Sequence, residues 1–124
     1  FKKVNDTHGH VMGDRVLQAL GEVLKSCLGV CPHASVARYG GEEFALMLPD
    51  GSKDECSKLA ELVRTRTKAL KIRDRRTQEV GLTVTISGGM AAMQADDDSH
   101  SLVARADAAL YQSKQSGRDR ITAA

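Results

Sequence analysis

Tryptophan is absent from these 124 residues, and the aromatic complement is two tyrosines and two phenylalanines. A chain this poor in flat rings has little on which to stack successive bases, which argues against a platform for single-stranded nucleic acid. Charge of one sign is lacking too. With 18 basic against 16 acidic residues the formal charge is +2, too balanced for a general nucleic-acid or membrane-surface binder, so any phosphate recognition must be local. No apolar run approaches the roughly 20 residues needed to cross a bilayer, and no signal-like apolar core is found. A soluble, cytoplasmic domain without membrane contact is the expectation. Cys27, Cys31 and Cys56 are an odd count with no C-x-x-C pair. They read as small apolar residues in a reducing compartment, not as a disulfide framework.

Length and a hydrophobic content of 41% suit one domain over residues 1–124, since domains most often run about 100 to 150 residues. Leu17, Leu20, Leu24, Cys27 and Leu28 follow the three-and-four spacing of an amphipathic helix, which Gly29 and Pro32 end. Residues 35–39 and 44–48 flank Gly40-Gly41 as two strands of a hairpin whose turn requires positive φ, and Pro49-Asp50-Gly51 closes the second strand. A second helix is predicted from Ser52 or Lys53 to Leu70, with Cys56, Leu59, Leu62, Val63 and Leu70 inward. The charged run Lys71 to Arg76 reads as a solvated strand end or loop. Leu82, Val84 and Ile86 alternate with Thr83, Thr85 and Ser87 as in a half-buried strand, and Gly88-Gly89 permits a bend or close packing. The acids Asp96-Asp97-Asp98 precede a third helix carrying Leu102, Val103, Ala106, Ala109 and Leu110, where capping and the macrodipole favour them over a metal role. Gly117 stops that helix, and Arg120-Ile121-Thr122 can form a last short strand. Helices alternating with hairpin strands describe an α/β sandwich, a mostly antiparallel sheet flanked by helices.

Chemistry concentrates in Arg38-Tyr39-Gly40-Gly41-Glu42-Glu43-Phe44. Paired glycines let backbone approach a phosphate without a Cβ in the way, and the acids that come next are hard oxygen ligands suited to Mg²⁺. Together with Phe1-Lys2-Lys3-Val4-Asn5-Asp6-Thr7-His8-Gly9-His10-Val11-Met12-Gly13-Asp14 and with Ala106-Asp107-Ala108-Ala109-Leu110-Tyr111-Gln112-Ser113-Lys114-Gln115-Ser116-Gly117-Arg118, this run closely resembles the GGDEF family of diguanylate cyclases. The resemblance implies an enzyme of bacterial second-messenger signalling that condenses two GTP into cyclic di-GMP with release of two pyrophosphates. It also implies a fold like the palm of polymerases and nucleotidyl cyclases.

Residue by residue, the resemblance makes Glu42 a ligand of Mg²⁺ (or Mn²⁺) and the acid beside the attacking 3′-hydroxyl, with Glu43 supporting the turn. Gly40 and Gly41 would lie against phosphates and sugar. Asn5 and Asp14 match the pair that reads guanine, since an amide and a carboxylate can meet the N1–H and exocyclic amine that adenine does not offer. Lys114 and Arg118, four apart at a helix end, match the cations on the terminal phosphates. Lys2 matches a lysine near the triphosphate that would stabilise the transition state. The Gly9-His10 step is assigned to structure, and His8 with His10 lacks a third ligand at zinc-like spacing.

Two departures stand beside the matches. The chain begins at Phe1, after the place where the family carries a central strand bearing a second metal-binding Asp. The polypeptide is therefore expected to extend upstream, and a protein of these residues alone is expected to turn over GTP poorly. The inhibitory Arg-x-x-Asp motif of many members is replaced by Cys31-Pro32-His33-Ala34, which offers neither guanidinium nor carboxylate to grip product. No inhibitory site is expected. The resemblance further implies a catalytic homodimer, because each nucleotide's hydroxyl must meet the other's α-phosphate, and control by an upstream sensor or receiver domain. The competing reading is a degenerate, non-enzymatic GGDEF domain acting as a nucleotide receptor or scaffold.

Overall fold

In the computed structural model, which describes residues 9–72 and 82–124, the first apolar stripe winds into helix α1, His10–Leu28. Met12, Val16, Val23, Leu24 and Cys27 are buried along it, while Leu17, Leu20 and Leu28 are half-buried. The inward face is thus rotated from the one expected. Apolar residues cover more of this helix than a single narrow stripe, and periodicity alone cannot say which part of a wide stripe faces inward. Met12 and Val16 form a cluster with Ile72, against which Ala19, Leu70, Leu82 and Val84 pack. The helix ends by tightening, not through a left-handed glycine: Gly29 keeps a helical φ of −62°. Successive amides of Gly29, Val30 and Cys31 donate three residues back to Ser26, Cys27 and Leu28 at 3.3, 3.1 and 3.1 Å before Pro32 breaks the run.

Strands β1, Ser35–Gly40, and β2, Glu43–Met47, pair antiparallel as a hairpin. Helix α2, Lys53–Ala69, comes next, started by the Ser52 hydroxyl accepting from the Glu55 amide at 3.0 Å. Leu59, Val63 and Thr67 are its buried positions. The chain forms two compact units, one of Phe1–Pro49 with Arg66–Val84, the other of Asp50–Thr65 with Thr85–Ala124.

In the first unit Leu82 and Val84 are half-buried and Thr83 exposed, as a period of two predicts. The regular ladder nevertheless starts later than expected. Leu82 makes an isolated bridge to Ile72, with backbone bonds of 2.9 and 3.0 Å, and among the described residues the next strand is β3, Gly88–Met90. In the second unit β3 pairs parallel with β4, Ile121–Ala123, so this ladder, unlike the hairpin, is not antiparallel. Helix α3, Ser99–Gln115, links them. Its start carries the acids as expected: Asp98 accepts from the Ser101 amide at 2.8 Å while its own amide donates to the Ser101 hydroxyl at 3.0 Å, a reciprocal capping box. Asp97 accepts from the Gln94 amide and the Ser101 hydroxyl and pairs with Arg105. The Arg105 guanidinium, foremost, holds its carboxyl below the usual aspartate range.

Ser113, fully buried on α3, is not singled out by the apolar pattern. Its hydroxyl donates to the Gly88 carbonyl at 2.7 Å and lies 2.6 Å from the Thr122 hydroxyl, tying the end of α3 to both strands. Ser113→Ala leaves those half-buried groups without this partner. The expected cost is about 1–3 kcal/mol, read as a lower urea midpoint with an unchanged slope. Among the described residues no helix is long and apolar enough to cross a membrane.

Candidate active site

Two local structures carry most of the described candidate side chains read from the sequence. The first is the hairpin tip. Arg38 pairs with Phe44 and Gly40 with Glu43, so the register slips between them and Tyr39 is the extra residue of a bulge, a device that bends a strand and re-aims its next residues. Gly41 turns the tip with φ +46°, a conformation that side-chain-bearing residues rarely adopt. The Arg38 guanidinium reaches over and donates to the Gly41 carbonyl from Nε at 2.9 Å and Nη2 at 2.5 Å. That fork fixes the tip from below.

Glu42 and Glu43 are exposed, and their carboxylates enter no hydrogen bond or ion pair among the described residues. Among the described residues, a Cβ built on Gly40 or Gly41 meets nothing within 4 Å. Conformation accounts for glycine at position 41. Position 40 lies outside the left-handed region, and nothing among the described residues demands glycine there. Bare backbone beside two unpaired carboxylates is a donor set for a hard cation with room for phosphate oxygens. No group of three His, Cys, Asp or Glu side chains among the described residues forms a ready-made metal cluster. A Mg²⁺ fits such a site through one or two carboxylates, its shell completed by substrate oxygens and water.

Asp14 is exposed on α1, five residues beyond the N-cap Gly9. It therefore has no capping task. Gly9 carries φ +85°, and its carbonyl accepts from Gly13 at 3.1 Å, which gives the Gly9-His10 step its structural role. Lys2, Asn5 and His8 lie outside the described residues, as does the charged run beyond Ile72.

The second structure is the end of α3. Lys114 occupies its last turn, but Arg118 is not its neighbour on the helix, which stops at Gln115. Gly117 turns with φ +111°, and the Arg118 amide donates to the Ser113 carbonyl at 2.9 Å, the six-to-one bond of a Schellman motif. Arg118 and Asp119 continue with φ of 61° and 48°, conformations that cost non-glycine residues on the order of 1–3 kcal/mol each. The Arg118 carbonyl accepts from Arg120 Nε at 3.2 Å. Among the described residues the exposed head groups of Lys114 and Arg118 enter no hydrogen bond or ion pair. Two unpaired cations on one turn suit a polyanion.

Beside this turn lies a network that sequence reasoning misses. Arg64 donates from Nη1 to Asp119 at 2.7 Å and grips Glu61 from Nε at 3.0 Å to both oxygens and from Nη2 at 2.5 Å. The bond from Arg64 pulls the Glu61 carboxyl below its ordinary value, and Glu61 first, then Asp119, push the guanidinium further toward its charged form. The three-residue spacing of Glu61 and Arg64 is legible as a helix-surface pair. Its reach to Asp119, 55 residues away, is not.

The family model described as "Diguanylate cyclase, GGDEF domain" matches residues 1–120. The chain belongs to the GGDEF family. Relatives in this family include Diguanylate cyclase A of Treponema denticola, 42% identical over 98% of this chain and 32% of that protein, and Diguanylate cyclase VdcA of Vibrio cholerae, 41% identical over 98% of this chain and 35% of that protein. The chain thus spans about a third of the length of these curated relatives. Among solved GGDEF structures, the domain of DgcB from Caulobacter crescentus, in complex with c-di-GMP, superposes with a TM-score of 0.92 at 38% identity, covering 98% of this chain and 70% of that one. Diguanylate cyclase SiaD from Pseudomonas aeruginosa, in complex with its activator SiaC, gives 0.91 at 38% identity over 99% of this chain and 45% of that one. The α/β fold expected from the sequence is the fold of these GGDEF domains.

Proposed function

We propose that this chain is a diguanylate cyclase domain that condenses two GTP into cyclic di-GMP and two pyrophosphates. Membership of the GGDEF family supports the reaction class. The single observation that carries the reading is the hairpin tip, where, among the described residues, the unpaired carboxylates of Glu42 and Glu43 stand beside a Gly40 whose missing Cβ no neighbour requires. In this reading Glu42 takes the proton of the attacking 3′-hydroxyl. The hydroxyl oxygen forms a bond to the α-phosphorus of the second GTP, the bond from that phosphorus to the bridging oxygen breaks, and pyrophosphate leaves. Repetition on the other nucleotide closes the ring. Glu42 would hold Mg²⁺, which neutralises charge on attacking and leaving oxygens when bound. Gly40 and Gly41 admit phosphate and sugar, and Glu43 supports the turn. Asn5 and Asp14 read guanine, Lys114 and Arg118 hold the terminal phosphates, and Lys2 stabilises charge in the transition state.

One domain presents one GTP, so two copies must face each other for the two in-line attacks. Full-length protein incubated with GTP and Mg²⁺ is expected to yield cyclic di-GMP and two pyrophosphates per product. The rate should rise more steeply than linearly with protein concentration where the dimer is dilute. GTP binding without turnover would replace this reading with that of a nucleotide receptor. The domain is read as cytoplasmic, under an upstream sensor or receiver domain.

Regulation by product is expected to be absent at residues 31–34. The Ala34 amide donates to the Cys31 carbonyl at 3.1 Å across Pro32, a tight turn carrying neither the guanidinium nor the carboxylate that would grip the product. Cyclic di-GMP added to the reaction should leave the initial rate unchanged through this position. Tight binding by calorimetry, lost on mutating Cys31 or Ala34, is the contrary result.

A further inference from the structure

We propose that Arg64 is a positioning residue for Arg118, acting through Asp119. The assignment rests on reading the Lys114–Arg118 turn as the site of the GTP terminal phosphates. Its basis is a chain of contacts within the second unit. Glu61, one helical turn before Arg64 on α2, occupies Nε and Nη2 of the guanidinium. Because that group is a rigid planar fork, gripping one side sets the direction of the remaining Nη1. Nη1 points to Asp119 Oδ1 at 2.7 Å. Asp119 comes directly after Arg118, and both hold left-handed backbone that non-glycine residues keep only where the surroundings over-determine it. The bonds on this turn do so: the Arg118 amide to Ser113, Arg120 Nε to the Arg118 carbonyl, and Arg64 to the Asp119 side chain.

The Arg64 network is unlike an ordinary surface ion pair. Lys58 and Asp54, four apart on the same helix, are 79% and 78% exposed, and such pairs fix little. Arg64 is 18% exposed and Asp119 25%, whereas Arg118 is exposed with its guanidinium unpaired among the described residues. One arginine is committed to the protein and holds the turn from which the other is free to reach a ligand. Without the tether, residues 118 and 119 can relax toward negative φ, and the backbone carrying Arg118 swings away.

The test is a double-mutant cycle on the full-length protein, read in KM and kcat for GTP. Arg64→Ala is expected to raise KM about tenfold, within the range for coupled neighbours, with a smaller effect on kcat. Arg118→Ala is expected to raise it at least as much. The double variant should be no worse than Arg118→Ala within about twofold, since Arg64 has nothing left to position. Arg64→Lys, which can donate to one carboxylate but cannot fork, should fall between wild type and Arg64→Ala. Should Arg64→Ala not fold, Asp119→Gly keeps positive φ accessible, removes the carboxylate and carries the same expectation. Additive effects in the cycle, or an unchanged KM in a folded Arg64→Ala protein, overturn the proposal. A second arm needs no nucleotide: hydrogen exchange at the Arg118 amide should accelerate in Arg64→Ala, and unchanged exchange also overturns it. Failure of the functional reading would look different, since wild-type protein would then show no GTP turnover while exchange at Arg118 still responded to Arg64; the positioning role toward GTP would fall with that reading.

Discussion

Glu42→Gln in the full-length protein is expected to abolish cyclic di-GMP formation while leaving the fold intact. The substitution keeps shape and polarity and removes the negative charge and proton affinity. A positioned acid or base contributes typically about 10²–10⁴-fold to rate, and in the proposed reaction Glu42 also serves as the cation's ligand, so a loss at or beyond the upper end is expected. Stability should hardly move: Glu42 is exposed and unpartnered among the described residues, and surface changes away from special features stay within about 0.5 kcal/mol. The variant should still bind GTP through Lys114 and Arg118, seen as a rise in thermal midpoint with added nucleotide, because a ligand of the native state alone stabilises it by mass action. Glu43→Gln, at a position read as supporting, should lose less. Turnover by Glu42→Gln close to that of wild type would remove the hairpin tip from the chemistry and leave the receptor reading standing.

How far each feature is legible in the sequence depends on the range of the interaction that sets it. The hairpin can be placed within a residue because its determinants are local: paired glycines, one of which needs positive φ, between apolar runs. The same holds for the acids before α3, whose capping partners lie three and four residues away. Periodicity finds helix α1 but rotates its inward face, because which side of a wide apolar stripe is buried depends on Ile72 and Leu82 far along the chain. The alternating run from Leu82 reads as a strand, whereas the ladder forms at Gly88–Met90, where a parallel partner some 30 residues later in the chain is available. At the candidate site the hairpin residues lie in one contiguous motif. Spacing makes Arg118 a helical neighbour of Lys114, but the Schellman turn at Gly117 takes it off the helix. Ser113 and Arg64 stay silent for a common reason: a polar residue's role is set by partners that no local pattern names.

Gly89→Ala is expected to be the most damaging single methyl in the second unit, and its comparison with Gly40→Ala separates two uses of glycine. A Cβ at Gly89 would lie well inside 3.0 Å of the Ala106 carbonyl oxygen and of the Leu110 amide nitrogen, against an ordinary contact of 3.4–4 Å. These are backbone atoms of α3, which cannot rotate aside as a side chain would. To relieve the clash the helix must lift from β3 by roughly an ångström or more. Lifting it strains the Ser113 bonds to Gly88 and Thr122 that hold its C-terminal end. Overpacking a well-packed site typically costs about 1–3 kcal/mol and occasionally more; with no compliant neighbour, the upper end or beyond is expected, measured as a fall in the urea midpoint. Gly88→Ala should be milder, since its nearest atom is Cδ1 of the Ile121 side chain at 2.6 Å, which can turn away. Gly40→Ala should fold normally, because its Cβ meets none of the described residues and its backbone lies outside the left-handed region. Under the proposed function that same methyl obstructs the approach of nucleotide, so Gly40→Ala should lose GTP turnover with an unchanged unfolding curve, whereas Gly89→Ala should lose both together. Full turnover in Gly40→Ala would show that nothing approaches the backbone there.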